Sequence, residues 1–212
     1  MDPSFWHRRW KKNEIGFHES EGSHLLKDHF DKWTLPSSPR VFVPLCGKTR
    51  DIAWLLSNGL EVVAVELNES AVIALFDELG VQPDIEKQGE LIRYSVRDLT
   101  VYVGDFFALS AAIIGSVDGV YDRAALVALP PELRKRYTRH LQQITQHRKQ
   151  LLITYDYQQT LFDGPPFSVT TKEVEGHYSS NFSIERLYRD KVKGGFRGHS
   201  DVYEAVYILN LI

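Results

Sequence analysis

The sequence predicts an α/β fold, a mostly parallel sheet with helices on both faces, closed by an antiparallel C-terminal hairpin and preceded by a helical cover. Three observations predict it. Apolar runs without polar alternation, RVFVPL (Arg40 to Leu45) and EVVAVEL (Glu61 to Leu67) among them, mark strands buried on both faces. Segments with helical spacing and recognisable caps separate those runs. Strand and helix alternate about five times before two long β-like segments end the chain, the order expected of right-handed crossovers between parallel strands.

Each element follows from its own residues. Gly47 breaks the first strand, and Thr49 caps a helix carrying Ile52, Ala53, Leu55 and Leu56, which Asn58-Gly59 ends. After the second strand, Asn68 caps a helix with Val72, Leu75, Phe76 and Leu79, closed by Gly80. LTVYVGD (Leu99 to Asp105) and SVDGVYD (Ser116 to Asp122) read as strands that end in acids, and LIRYSVRD is placed to form a hairpin with the first of them. Pro130 and Pro131 start a helix with Leu133, Tyr137, Leu141 and Ile144 on one face. QLLITYDY (Gln150 to Tyr157) is another buried strand. FSIERLYRD and DVYEAVYIL form the hairpin, joined through the glycine-rich KGGFRGH, and bring the expected count to seven strands. Residues 1–39 lie outside the alternation, with helices near Phe5 to Lys11 and Gly22 to Trp33, and are expected to cover the ligand site of a single domain whose core is 40–212.

Composition narrows the class. With 212 residues the chain can bury a full core as one domain. Its single Cys cannot form an internal disulfide, which points to a reducing compartment. A net charge of -3 offers no basic face for nucleic acid. The longest charge-free apolar stretch, Phe106 to Val117, is too short for the ~20 residues of a membrane span. The first residues place Arg and Lys beside Trp with no apolar run behind them, and Glu14, Glu19 and Glu21 follow, unlike a secretory or transit signal. A cytoplasmic protein working on a small molecule is expected, as a monomer, with no nucleic-acid or membrane partner.

The ligand of such a sheet belongs at the carboxyl ends of its strands. There the loop PLCGKT (Pro44 to Thr49) lets a ligand approach the backbone, and Glu66 ends the second strand nineteen positions after Gly47, where a carboxylate accepts from both hydroxyls of an unphosphorylated ribose. The alternative for Glu66 is that it merely begins the next helix. One glycine stands where a pyrophosphate cradle uses three. That weakens a dinucleotide reading and suits a ligand without phosphates such as S-adenosylmethionine. Asp105 and the backbone of Phe106 stand where an adenine could be met. Arg123 follows Asp122 at the crevice edge; its alternative is a structural pair with a neighbouring carboxylate. Arg197 lies in the glycine-rich turn, where arginines are usually only solvated. Cys46 has no identifiable base, so packing outweighs a nucleophilic role. The eight histidines show no metal-ligand spacing, and no metal is expected.

RVFVPLCGKT, EVVAVEL and VYDRAALVALPP, with the opening WHRRWKKNEIGFHESEGSHLL, resemble the thiopurine S-methyltransferase family, in its bacterial form, over nearly the whole chain. The resemblance implies a Rossmann-like fold and transfer of a methyl group from S-adenosyl-L-methionine to the sulfur of aromatic or heterocyclic thiols such as thiopurines, with selenium or tellurium compounds as further acceptors. It implies that Trp10, Leu45, Glu66 and Arg123 line the cofactor site, that Asp105 and Phe106 contact adenine, and that Phe17 and Arg197 belong to the acceptor pocket. No His or Cys base is evident, so Arg123 and Arg197 are the expected catalytic groups, favouring a thiolate or holding an anionic acceptor. Trp10 and Phe17 are expected either to close over the site or simply to anchor the segment. A nicotinamide-dependent oxidoreductase and a non-catalytic nucleotide sensor on the same fold are the competing readings.

Overall fold

The computed structural model describes residues 3–12, 14 and 19–212. In chain order the elements are α1 (Pro3–Lys11), α2 (His24–His29), β1 (Arg40–Val43), α3 (Arg50–Ser57), β2 (Glu61–Glu66), α4 (Glu69–Leu79), β3 (Asp84–Gln88), β4 (Leu91–Val96), β5 (Leu99–Val103), α5 (Ala111–Ile114), β6 (Gly119–Arg123), α6 (Pro131–Ile144), β7 (Gln150–Tyr157), α7 (Thr171–Tyr178), β8 (Phe182–Lys191) and β9 (Val202–Leu211). The strands form one sheet in the order β3-β4-β5-β2-β1-β6-β7-β9-β8. β5, β2, β1, β6 and β7 are parallel, and the flanking strands are antiparallel.

The seven strands expected from the sequence form an unbroken run from β5 to β8, but the sheet has nine. LIRYSVRD supplies β4, which pairs with β5 as its position suggested. β3 extends the edge and escapes sequence analysis because all five of its residues, DIEKQ, are exposed. α7 also has no counterpart among the expected elements. Thr170 accepts from the Glu173 backbone N–H, and Thr-x-x-Glu at 170–173 was the available start signal.

Alternate residues of β2 show why its sequence does not alternate in polarity. Val62 and Ala64 pack into a core with α2, α3 and α4, through Leu26, Ile52, Leu55, Val72 and Phe76; Val63 and Val65 pack oppositely with Phe106, Tyr137, Leu141 and Val174. Caps hold the helices in place: Thr49 accepts from Asp51 N–H, Asn68 from Ser70 N–H, and Gly80 ends α4 in the left-handed region at φ 70°.

The amino-terminal region divides in two. Leu25, Leu26 and Trp33 are buried in the core with α3, and Trp33 lies against Gly119 of β6, where an added Cβ would come within 2.5 Å of the indole. α1 stands instead at the carboxyl ends of the strands, where Asn68 Nδ2 donates to His7 Nδ1 at 3.1 Å. From β1 the chain moves outward through β2 to β5, then returns to the other side of β1 as β6. The reversal between β1 and β6 opens a crevice at their carboxyl ends, where ligands of such sheets bind.

Candidate active site

The β1–α3 loop enters this crevice on two left-handed residues, Leu45 at φ 46° and Gly47 at φ 54°. Leu45 has a Cβ and makes this turn at a cost, which marks the loop as constrained. Cys46 N–H donates to Val65 O at 3.0 Å, and Gly47 N–H donates to Glu66 Oε2 at 2.9 Å. Glu66 Oε1 accepts from Asn68 N–H at 2.8 Å. The carboxylate is therefore fixed by one amide on each oxygen, and each oxygen keeps a lone pair for a ligand hydroxyl. Burial pushes the Glu66 carboxyl up, and the Asn68 and Gly47 amides pull it back. α4 begins only at Glu69, so Glu66 stands ahead of the helix and is bound to the loop. Cys46 is buried, and burial, with Glu66 beside it, pushes its thiol well up; this is a packed residue and not a thiolate.

Gly104 N–H donates to Glu66 O at 2.9 Å, which sets the tip of β5 beside that of β2. The strand ends at Val103 rather than at Asp105. Asp105 is exposed and caps the turn Phe106–Ala108, accepting from Phe107 N–H at 2.9 Å. The Phe106 ring is core, 4% exposed and 4.9 Å from the Tyr137 ring, so only the backbone of this residue can border the crevice.

Arg123 ends β6, on the other side of the crevice, and the chain turns away through Ala124 at φ 70°. Its side chain is 11% exposed, and Nη2 donates to the Glu19 carboxylate. The structure thus shows the carboxylate pair for Arg123, at the carboxyl end of β6. Burial opposes its charge, yet Tyr121, Glu19 and Asp51 hold the guanidinium firmly protonated.

Sequence reasoning missed Tyr155 and Glu204. They face each other in the β7–β9 register. Burial, then the nearby Glu19, pushes Glu204 up. No spacing signal could have joined two residues so far apart in the chain; strand pairing alone does so. The Tyr155 ring also begins an aromatic wall, 5.3 Å from Phe196, which lies 5.5 Å from Phe162, itself stacked on Tyr157 at 4.2 Å. Arg197, in the left-handed region at φ 50°, lays its guanidinium 5.1 Å from the Phe162 centroid and donates to Pro165 O at 2.7 Å. It is thus packed on the wall as well as exposed to solvent. Trp10 is half-buried on α1, one turn beyond His7. Phe17 lies outside the described residues.

Glu66, its constrained loop and the buried Arg123 guanidinium stand at the carboxyl ends of strands of the parallel core, and the aromatic wall begins at Tyr155 on β7. The family model for thiopurine S-methyltransferase matches residues 1–210. The chain belongs to the thiopurine S-methyltransferase family. Relatives named thiopurine S-methyltransferase include one from Xanthobacter autotrophicus, 45% identical over 210 residues and 99% of both chains. Another, from Pseudomonas aeruginosa, is 46% identical over 215 residues and likewise covers 99% of both. Among solved structures, a methyltransferase from Anabaena variabilis shares the fold at a TM-score of 0.67 and 12% identity, over 99% of this chain and 95% of its own. A Burkholderia thailandensis N1-methyltransferase with bound S-adenosylhomocysteine does so at 0.64 and 16%, over 99% and 86%.

The protein is an S-adenosylmethionine-dependent methyltransferase, and the oxidoreductase and sensor readings fall away. The residues present fit this methyl donor. Glu66 offers acceptors to a ribose, and the single-glycine loop brings main chain, not a phosphate cradle, to the crevice. No His, Cys, Asp or Glu cluster among the described residues could hold a metal ion. No helix among them is long and apolar enough to cross a membrane.

Proposed function

We propose that this methyltransferase methylates the sulfur of aromatic or heterocyclic thiols such as thiopurines, with selenium and tellurium compounds as further acceptors. The aromatic wall of Tyr155, Phe162 and Phe196, capped by Arg197 and adjoining Arg123, carries the reading. A flat, electron-rich acceptor gains by stacking on such a wall, and a guanidinium at its edge favours the ionised sulfur. In this reading Glu66 holds the ribose hydroxyls, Leu45 and its loop border the amino-acid end, and Asp105 with the Phe106 backbone borders the adenine. Trp10 and Phe17 cover the site from the segment 1–39, and the enzyme works as a cytoplasmic monomer.

The bound donor supplies a sulfonium methyl group. The acceptor sulfur forms the new carbon–sulfur bond in line with the one that breaks, whose electron pair stays on S-adenosylhomocysteine, and the thiol proton leaves to solvent. Aromatic thiols ionise readily, so Arg123 and Arg197 need only favour the thiolate and align it while the crevice excludes water. An acceptor screen with labelled S-adenosylmethionine tests this. Methylation of 6-mercaptopurine and thiophenols above that of aliphatic alcohols and amines is expected; transfer confined to nitrogen or oxygen would overturn it. Limited proteolysis with and without S-adenosylhomocysteine tests the cover: equal cleavage around residues 13–18 in both states would refute closure.

A further inference from the structure

Arg123 and its carboxylate partner are held very differently. The guanidinium is 11% exposed on a strand paired on both sides, anchored by the buried Asp122 that precedes it. Glu19 belongs to no helix or strand and its side chain is 38% exposed. Glu204, opposite Tyr155, is fixed on β9, a strand between two neighbours. The carboxylate paired with this buried cation is therefore the one outside the sheet. An anion that enters the crevice to pair with Arg123 must displace Glu19, which can move into solvent without disturbing the sheet.

We propose that Glu19 is a built-in counter-ion that occupies Arg123 until an anionic group of a bound ligand displaces it, either the amino-acid carboxylate of the donor or the thiolate of the acceptor. The inference rests on Arg123 belonging to the ligand site. Glu19 is then a positioning residue: it keeps the buried guanidinium paired in the free enzyme, and it weakens the binding of anionic ligands by the fraction of time it holds the site.

Calorimetric titration of wild type and Glu19→Gln separates the two sources. The titrants are S-adenosylhomocysteine and 5'-methylthioadenosine, which lacks the amino-acid carboxylate. Tighter S-adenosylhomocysteine binding in the variant, by about two- to tenfold, with methylthioadenosine unchanged assigns the exchange to the donor carboxylate. A similar fall in the KM for 6-mercaptopurine, with S-adenosylhomocysteine binding unchanged, assigns it to the thiolate. If the variant binds every ligand equally well or more weakly while wild type binds S-adenosylhomocysteine normally, Glu19 is only an anchor and the proposal fails. If Arg123→Ala leaves both the donor affinity and the acceptor KM untouched, the site reading beneath it fails instead. Glu19→Asp, whose shorter side chain reaches Arg123 less well, provides a second variant and is expected to shift affinity in the same direction.

Discussion

Asp122, next to Arg123, makes stability depend on pH in a direction opposite to that of most carboxylates. Its side chain is fully buried; Oδ2 accepts from the Tyr137 hydroxyl at 2.7 Å and Oδ1 from Leu126 N–H at 3.1 Å. Burial raises the carboxyl from 3.8 to about 6, against the pull of those two donors. Because the folded value lies above the unfolded one, the native state binds the proton more tightly. The resulting stability is complete below about pH 4 and is lost as pH rises through about 6. A shift of about 2 units corresponds to roughly 3 kcal/mol lost by pH 7.5. Asp122→Asn removes the titration while keeping both contacts, since its amide oxygen can accept from Leu126 and its NH2 can donate to the Tyr137 oxygen. Denaturant unfolding of both proteins from pH 4.5 to 7.5 should show the stability of the variant relative to wild type rising by about 2–3 kcal/mol, or roughly 4–12 °C in Tm. A difference that stays flat across this range would refute the argument, because Asp122 would then ionise in the folded protein at no cost.

Glu66→Gln should weaken S-adenosylhomocysteine at least tenfold by calorimetry: an amide has one acceptor oxygen, so either the Gly47 or the Asn68 N–H must face an NH2 group. Arg197→Ala should raise the acceptor KM about tenfold and move the pH profile of kcat/KM upward, with S-adenosylhomocysteine affinity unchanged; an unaltered KM and profile would remove Arg197 from the acceptor site. Gly119→Ala should destabilise by about 1–3 kcal/mol in urea, because its Cβ would meet the buried Trp33 ring at 2.5 Å.

The helices with caps and the strands with two buried faces were legible because both signals are local. Thr49, Asn68 and Gly80 act where they stand, and an unalternated run such as EVVAVEL reports its own burial. Glu66 was legible for the same reason, through its position at a strand end after a glycine loop. β3 was not, because an exposed edge strand needs no apolar pattern and is held by backbone pairing to β4 and an exposed Arg93–Glu86 ion pair. For Phe106 the sequence pointed to the backbone alone, and where its ring goes is decided by packing against Phe42, Tyr137 and His140 in the core.

By itself the sequence determined the alternation of strand and helix, the acid at the end of β2, the single-glycine loop and the family to which they belong. Tertiary structure alone decided what surrounds Arg123. Glu19, Tyr155 and Glu204 come from an irregular segment and two strands far apart in the chain, and β9 lies between β7 and β8 instead of at the edge. The physical reason is the range of the forces involved: caps and periodicity act over a few residues, whereas charge and hydrogen bonding act between whichever groups the sheet brings within a few ångströms. Which anion answers a buried guanidinium is therefore a property of the folded chain and of no stretch of its sequence.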